Sequence, residues 1–140
     1  MRLMNFGWIV LVGALCCLAV GAAETQTCRD ASGRVTGTVT RDGNRVTYRD
    51  AQGRITATAT TVGGTTTYRD AHGRIIGTET VNGNRSTYRD AQGRIVTTST
   101  HSGNTTTYRD SHGRTVGTAT QNGSGTTYRD SSGRTRGTKR

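Results

Sequence analysis

Arginine is the residue type through which this chain could do chemistry. It recurs in pairs five positions apart around an aspartate: Arg49 and Arg54, Arg69 and Arg74, Arg89 and Arg94, Arg109 and Arg114, Arg129 and Arg134, with a first copy at Arg29 and Arg34. A guanidinium keeps its charge at any physiological pH and presents a planar fork of donors that matches phosphate, sulfate and carboxylate. Two guanidiniums facing each other across a hairpin repel unless something anionic lies near them. The pairs therefore point either to a row of sites for an anionic polymer or to neutralisation by the adjacent aspartates.

Other chemistries find no foothold in these residues. His72, His101 and His112 sit where other copies of the pattern carry Gln, Ser or Val, and no nucleophile, base and orienting group recur together around them. His72 and His112 occupy equivalent places but bring no third ligand, so no metal site is expected. We expect no enzyme, no catalytic residue and no cofactor.

The arginines belong to a repeat that the whole chain after its first residues obeys. Arg-Asp-small-x-Gly-Arg begins at Arg29, Arg49, Arg69, Arg89, Arg109 and Arg129, six copies at a period of 20 residues without insertion or deletion. A fixed period of this length marks a repeat architecture. Tyr48, Tyr68, Tyr88, Tyr108 and Tyr128 precede five copies, and Cys28 precedes the first.

Each copy reads as two strands and two turns. In Arg45 to Thr60, β-branched and aromatic residues alternate with others on either side of Asp50-Ala51-Gln52-Gly53. Aspartate can accept from the backbone two residues on, and Gly53, like Gly73, Gly93, Gly113 and Gly133, can take the left-handed conformation, so this is read as a four-residue hairpin loop. Asp42-Gly43-Asn44 and its equivalents form the second turn. The expectation is an all-β antiparallel hairpin meander of about eleven strands.

Pairing across the first turn sets Arg49 opposite Arg54, Tyr48 opposite Ile55, Thr47 opposite Thr56 and Val46 opposite Ala57. One face then carries Tyr48, Val46, Ile55, Ala57 and equivalents such as Val35, Ile75 and Ile95, and the other carries Thr and Arg. Across the second turn Tyr48 falls beside Gly37, Tyr88 beside Gly77 and Tyr128 beside Gly117, where a ring can cover bare backbone. The tyrosines are thus structural. Their face must be covered, by the sheet curling into a barrel-like shell or by a second copy packed upon it.

A β-solenoid with one repeat per coil is the rival geometry. It would stack identical arginines about 4.8 Å apart, whereas the meander separates them by roughly 10 Å, near one Debye length at 0.1 M salt. The last copies are poorer in aliphatics, with Thr115 and Thr135 in place of isoleucine and Arg136 beside the latter, so the C-terminal end is expected to fray or to act as a polar cap.

Residues 1–23 are of another material. Arg2, the apolar run from Phe6 to Val20 and the small residues Gly21-Ala22-Ala23 read as an export signal cleaved after Ala22 or Ala23. Its roughly fifteen apolar residues fall short of the roughly twenty that span a bilayer. Cys16 and Cys17 lie inside it, leaving residues 24–140 with Cys28 alone, either paired between chains or standing in for a buried tyrosine. That remainder holds 18 Lys+Arg and 9 Asp+Glu, a net +9, and the hydrophobic fraction of the whole chain is only 30%.

Tyr48 to Ile55, Tyr-Arg-Asp-Ala-Gln-Gly-Arg-Ile, with its copies at Tyr68 and Tyr88, resembles the unit of the bacterial YD-repeat proteins. The resemblance covers the 24–140 region at the level of period and turn. It implies β-hairpins joined into shells and an extracytoplasmic location, periplasmic, cell-surface or secreted. The arginine between Tyr and Asp, the scarcity of leucine and the short length depart from that pattern and remove any enclosed passenger.

The reading that results is a secreted or cell-surface repeat protein whose Thr/Arg face binds an anionic polymer or envelope component: polysaccharide, lipopolysaccharide or DNA. The alternatives are a structural component that self-associates through its tyrosine face, its sheet edges or Cys28, and an ice-binding protein using the Thr-x-Thr pairs at Thr38/Thr40, Thr58/Thr60 and onward.

Overall fold

The structure, a computed structural model, describes residues 24–140. The export signal expected over residues 1–23, with Cys16 and Cys17, lies outside the described residues.

Twelve antiparallel strands follow in chain order: β1 (Glu24–Asp30), β2 (Val35–Asp42), β3 (Arg45–Asp50), β4 (Ile55–Val62), β5 (Thr65–Asp70), β6 (Ile75–Asn82), β7 (Arg85–Asp90), β8 (Ile95–Ser102), β9 (Thr105–Asp110), β10 (Thr115–Asn122), β11 (Gly125–Asp130) and β12 (Thr135–Lys139). Each pairs with its neighbours in sequence, and β12 pairs with β1 to close a barrel. The meander is therefore the architecture, and the solenoid is not. The count rises from eleven to twelve because Thr135–Lys139 forms a strand rather than a frayed cap. Cys28 partners Lys139 and Arg29 partners Thr138, while the Thr27 amide donates to the Arg140 carbonyl at 2.8 Å. Closure removes both open edges, each of which would otherwise present a row of unpaired backbone groups.

The first turn is tighter than its sequence suggested. The Asp50 amide donates to the Arg54 carbonyl and the Gly53 amide donates back to the Asp50 carbonyl, leaving a three-residue loop that ends on Gly53 at φ 80°. This is a β-turn followed by a left-handed glycine. Beyond it the register shifts again: Arg49 partners Ile55 but Tyr48 partners Ala57, so Thr56 is the extra residue of a bulge. Both devices recur in every copy whose second strand starts with Val35, Ile55, Ile75, Ile95, Thr115 or Thr135.

The bulge corrects the expected faces. A one-residue slip moves a side chain to the other side of a sheet. Ile55 was expected beside Tyr48 in the core but sits opposite outward-facing Arg49 and is 41% exposed. Val35, Ile75 and Ile95 follow it outward. The threonines at 115 and 135 consequently cost the core nothing. The expected pairs Arg49/Arg54, Thr47/Thr56 and Val46/Ala57 are replaced by Arg49/Ile55, Thr47/Thr58 and Val46/Ala59.

The second turn is Gly43-Asn44, flanked by the pair Asp42/Arg45. Gly43 has φ 56° and Asn44 has no positive φ, the type II′ arrangement whose first central position belongs to glycine. The loop thus lies one residue later than Asp42-Gly43. Tyr48 partners Val39 rather than Gly37, Tyr88 partners Glu79 and Tyr128 partners Ala119. Because both strands slide, parity is kept and the tyrosines stay inside. By register they meet glycine across the other hairpin, Tyr68 with Gly77, Tyr108 with Gly117 and Tyr128 with Gly137, while the Tyr88 ring reaches diagonally to cover Gly77 as expected.

The core is the barrel interior. Tyr48, Tyr68, Tyr88, Tyr108 and Tyr128 are all 5% exposed or less, and Cys28 holds the sixth place opposite Gly37. Each buried side chain of this size is worth about 1.5–3 kcal/mol. Tyr68 and Tyr88 meet edge to face, their ring centres 5.6 Å apart. Val39, Val46, Ala57, Ala59 and Ala119 fill the space between rings. Curling, not a second copy, covers the tyrosine face.

Candidate functional site

Alternation of the hairpins sends every Asp-small-x-Gly loop to one rim of the barrel and every Gly-x loop to the other. The first rim gathers Arg29, Arg34, Arg136 and the ten arginines of the later pairs, thirteen cations, against Asp30, Asp50, Asp70, Asp90, Asp110 and Asp130. Of the net +9 carried by residues 24–140, +7 lies on this rim. Twelve strands spaced about 4.8 Å apart and tilted about 40° enclose a cylinder on the order of 24 Å across. The rim is therefore a continuous cationic ring.

Within each loop the aspartate does the positioning. In Asp50, Oδ1 accepts from the Gln52 amide at 3.0 Å and the Arg54 amide at 2.9 Å, and Oδ2 accepts from Arg54 Nε at 2.8 Å. Asp70, Asp90 and Asp110 repeat the set with the same 2.8 Å ion pair. Partial dehydration pushes the Asp50 carboxyl up, but the Arg54 amide and guanidinium outweigh it and hold it below its ordinary value. At Asp30 the Ser32 hydroxyl is the largest influence, and the carboxyl is lowered to about 2. In the sixth copy Arg136 Nη1 comes within 4.0 Å of Asp130.

The expected like-charge pair thus resolves into two separately held arginines. Arg54 meets Asp50 through Nε and stays 76% exposed. Arg49 donates from Nη1 to the Gly53 carbonyl at 3.0 Å, as Arg69 does to Gly73, Arg89 to Gly93, Arg109 to Gly113 and Arg129 to Gly133. A carbonyl leaves the charge of Arg49 uncancelled while fixing where the guanidinium sits. Aspartate neutralisation therefore accounts for Arg34, Arg54, Arg74, Arg94 and Arg114, while Arg134 gives Asp130 its amide alone. The Arg49 series with Arg134 is the part of the rim available to an external anion.

His72 and His112 lie in the same loops and donate through their amides to Asp70 and Asp110. His101 is near the opposite rim, with Nδ1 3.0 Å from Thr106 Oγ1. Among the described residues no three His, Cys, Asp or Glu are grouped to hold a metal ion.

Two features escaped the sequence reading. Glu79 is 5% exposed inside the barrel and accepts a 2.6 Å hydrogen bond from Tyr68. Beside it Ser86, Thr97 and Ser99 line a recess with room for about one water. Burial pushes the Tyr88 hydroxyl up to about 12 and raises that of Tyr108 as well. The only sequence signal for Glu79 was its place two residues after Gly77, where Val39, Ala59 and Ala119 stand in other copies. The second feature is the exposed aliphatic row that the bulge turned outward.

We find no family model that matches the chain and no curated protein that matches its sequence.

Proposed function

We propose that this is an exported, non-enzymatic binding protein whose arginine rim takes an anionic polymer of the cell envelope or its surroundings. The observation that carries this reading is the placement of +7 on one rim, with the Arg49 series held by carbonyls rather than carboxylates. Export rests on residues 1–23 and on the resemblance to YD-repeat proteins. The surfaces through which self-association was expected, the tyrosine face and the sheet edges, are internal to the barrel, and Cys28 is 9% exposed among them. The Thr-x-Thr pairs lie on a curved wall, which gives an ice lattice no flat match.

The test is binding of long-chain polyphosphate by residues 24–140 across a salt series. Neutralised phosphates release counterions, so log K should fall linearly with log salt, with a slope of roughly −0.7 to −0.9 for each phosphate engaged and several phosphates engaged at once. Absence of binding at about 50 mM salt, in the range where such contacts are strong, would overturn the reading.

A further inference from the structure

The outer wall beside the arginine rim carries aliphatic side chains that stay partly exposed to solvent. Val35, Ile55, Ile75 and Ile95 open β2, β4, β6 and β8 and are 41–47% exposed. Val96 and Val116, the extra residues of their bulges, are 42% and 41% exposed. All six lie at one level. Four of them are direct cross-strand partners of arginines: Arg29 with Val35, Arg49 with Ile55, Arg69 with Ile75 and Arg89 with Ile95.

A dissolved polyanion has no use for aliphatic groups between its cationic contacts. The boundary of an anionic lipid leaflet does: apolar side chains enter the acyl edge, and guanidiniums on flexible stems hold the headgroup phosphates. Stable attachment of a peripheral protein takes two such signals together, and this rim carries both. The rest of the outer wall is mostly threonine, as at Thr58, Thr60, Thr78 and Thr80, with Val62 a single exposed aliphatic toward the far rim, so it lacks the apolar band about 25 Å tall that a spanning barrel presents. Thr115 thins the row to Val116 alone on β10, and Thr135 with Arg136 ends it on β12, which gives the ring an aliphatic side over β2 to β8 and a polar side at β12.

We infer that the barrel docks rim-first on an anionic lipid surface, aliphatic side down, with the Arg49 series on the lipid phosphates. This rests on the rim being the anion-binding site proposed above.

The experiment is co-sedimentation of residues 24–140, whose strands close on themselves, with vesicles of phosphatidylglycerol in phosphatidylcholine and of phosphatidylcholine alone, beside polyphosphate binding. The triple variant Ile55→Ser, Ile75→Ser, Ile95→Ser places hydroxyls where the chain already has Thr115 and Thr135, and circular dichroism checks its fold. Expected are capture by the anionic vesicles alone, at least a tenfold loss of that capture in the variant, and polyphosphate affinity within twofold of the parent. Vesicle capture unchanged in the variant, or equal on neutral vesicles, would overturn lipid docking and leave the rim reading standing. Failure to bind either vesicles or polyphosphate would overturn both.

Discussion

The two rims of the barrel are built from the same twelve strands and solve the same problem, reversing the chain, in different ways. At the arginine rim a three-residue loop is fastened by an aspartate that takes two amides and a guanidinium. At the far rim a two-residue Gly-x turn suffices, stitched in places by an asparagine such as Asn44, whose Nδ2 donates to the Thr61 carbonyl at 3.2 Å. The first device repeats almost letter for letter, while the second tolerates Gly43-Asn44, Gly63-Gly64 and Gly123-Ser124. A loop held by its own side chains fixes the direction of its neighbours. The difference shows why charge is ordered at one end only.

The largest expected effect comes from erasing the charge that separates the rims. Replacing Arg49, Arg69, Arg89, Arg109 and Arg129 by Gln should weaken polyphosphate binding at least a hundredfold and flatten the log K against log salt slope by about one for each phosphate no longer neutralised. Replacing Arg41, Arg45 and Arg85, nearer the other end, should cost less than tenfold. Equal losses would dissolve the comparison.

Backbone demands give the next contrast. Gly43 occupies a type II′ position that only glycine fits without strain, whereas Gly53 at φ 80° sits in the left-handed region that asparagine visits. Gly43→Asn should therefore cost about 2–3 kcal/mol and Gly53→Asn about 1 kcal/mol or less, read from denaturant midpoints. A reversed order would contradict the turn assignment.

Acid should loosen the arginine rim. Asp30, Asp50, Asp70, Asp90, Asp110 and Asp130 all have native values below the ordinary 3.8, with Asp30 near 2. A lowered carboxyl contributes stability that is complete above the unfolded value and is lost as pH falls through the native one. Melting temperature should hold above about pH 4 and drop between about pH 4 and 2. Asp50→Asn should shrink that drop, and a drop centred near pH 6 would refute it.

The smallest effect sharpens the contrast between the two sides of the ring. Thr115→Ile completes the aliphatic row on β10 beside Val116 and should raise capture by anionic vesicles about threefold while leaving the melting temperature unchanged within a degree or two, because the position faces outward. A marked gain in stability would mean that residue 115 packs inside.

Much of this was legible beforehand, and the errors share a cause. Asp50 and Gly53 announced a hairpin, Gly43 announced another, and the alternation of Val46 with Tyr48 announced a strand with one covered face. The sequence reading counted four loop residues where three form the loop, and nothing in Ile55-Thr56 marked a bulge. The shorter loop exchanged the partner of Arg49 from Arg54 to Ile55, and the bulge at Thr56 set Ile55 on the opposite side of the sheet from Ala57, on the outer wall rather than in the expected core. Glu79 went unremarked because its burial depends on the facing Tyr68 hydroxyl, which belongs to a separate strand.

Period, strand type, turn positions and the recurrence of charge were determined by the sequence alone, since each follows from residues within a few positions of one another. Which side of the sheet the Ile55 series takes, the closure of β12 onto β1, and the gathering of thirteen arginines onto one rim were decided by the tertiary structure. Register at a bulge and the meeting of the first and last strands depend on how all twelve strands twist and tilt together, and no local stretch of residues carries that information.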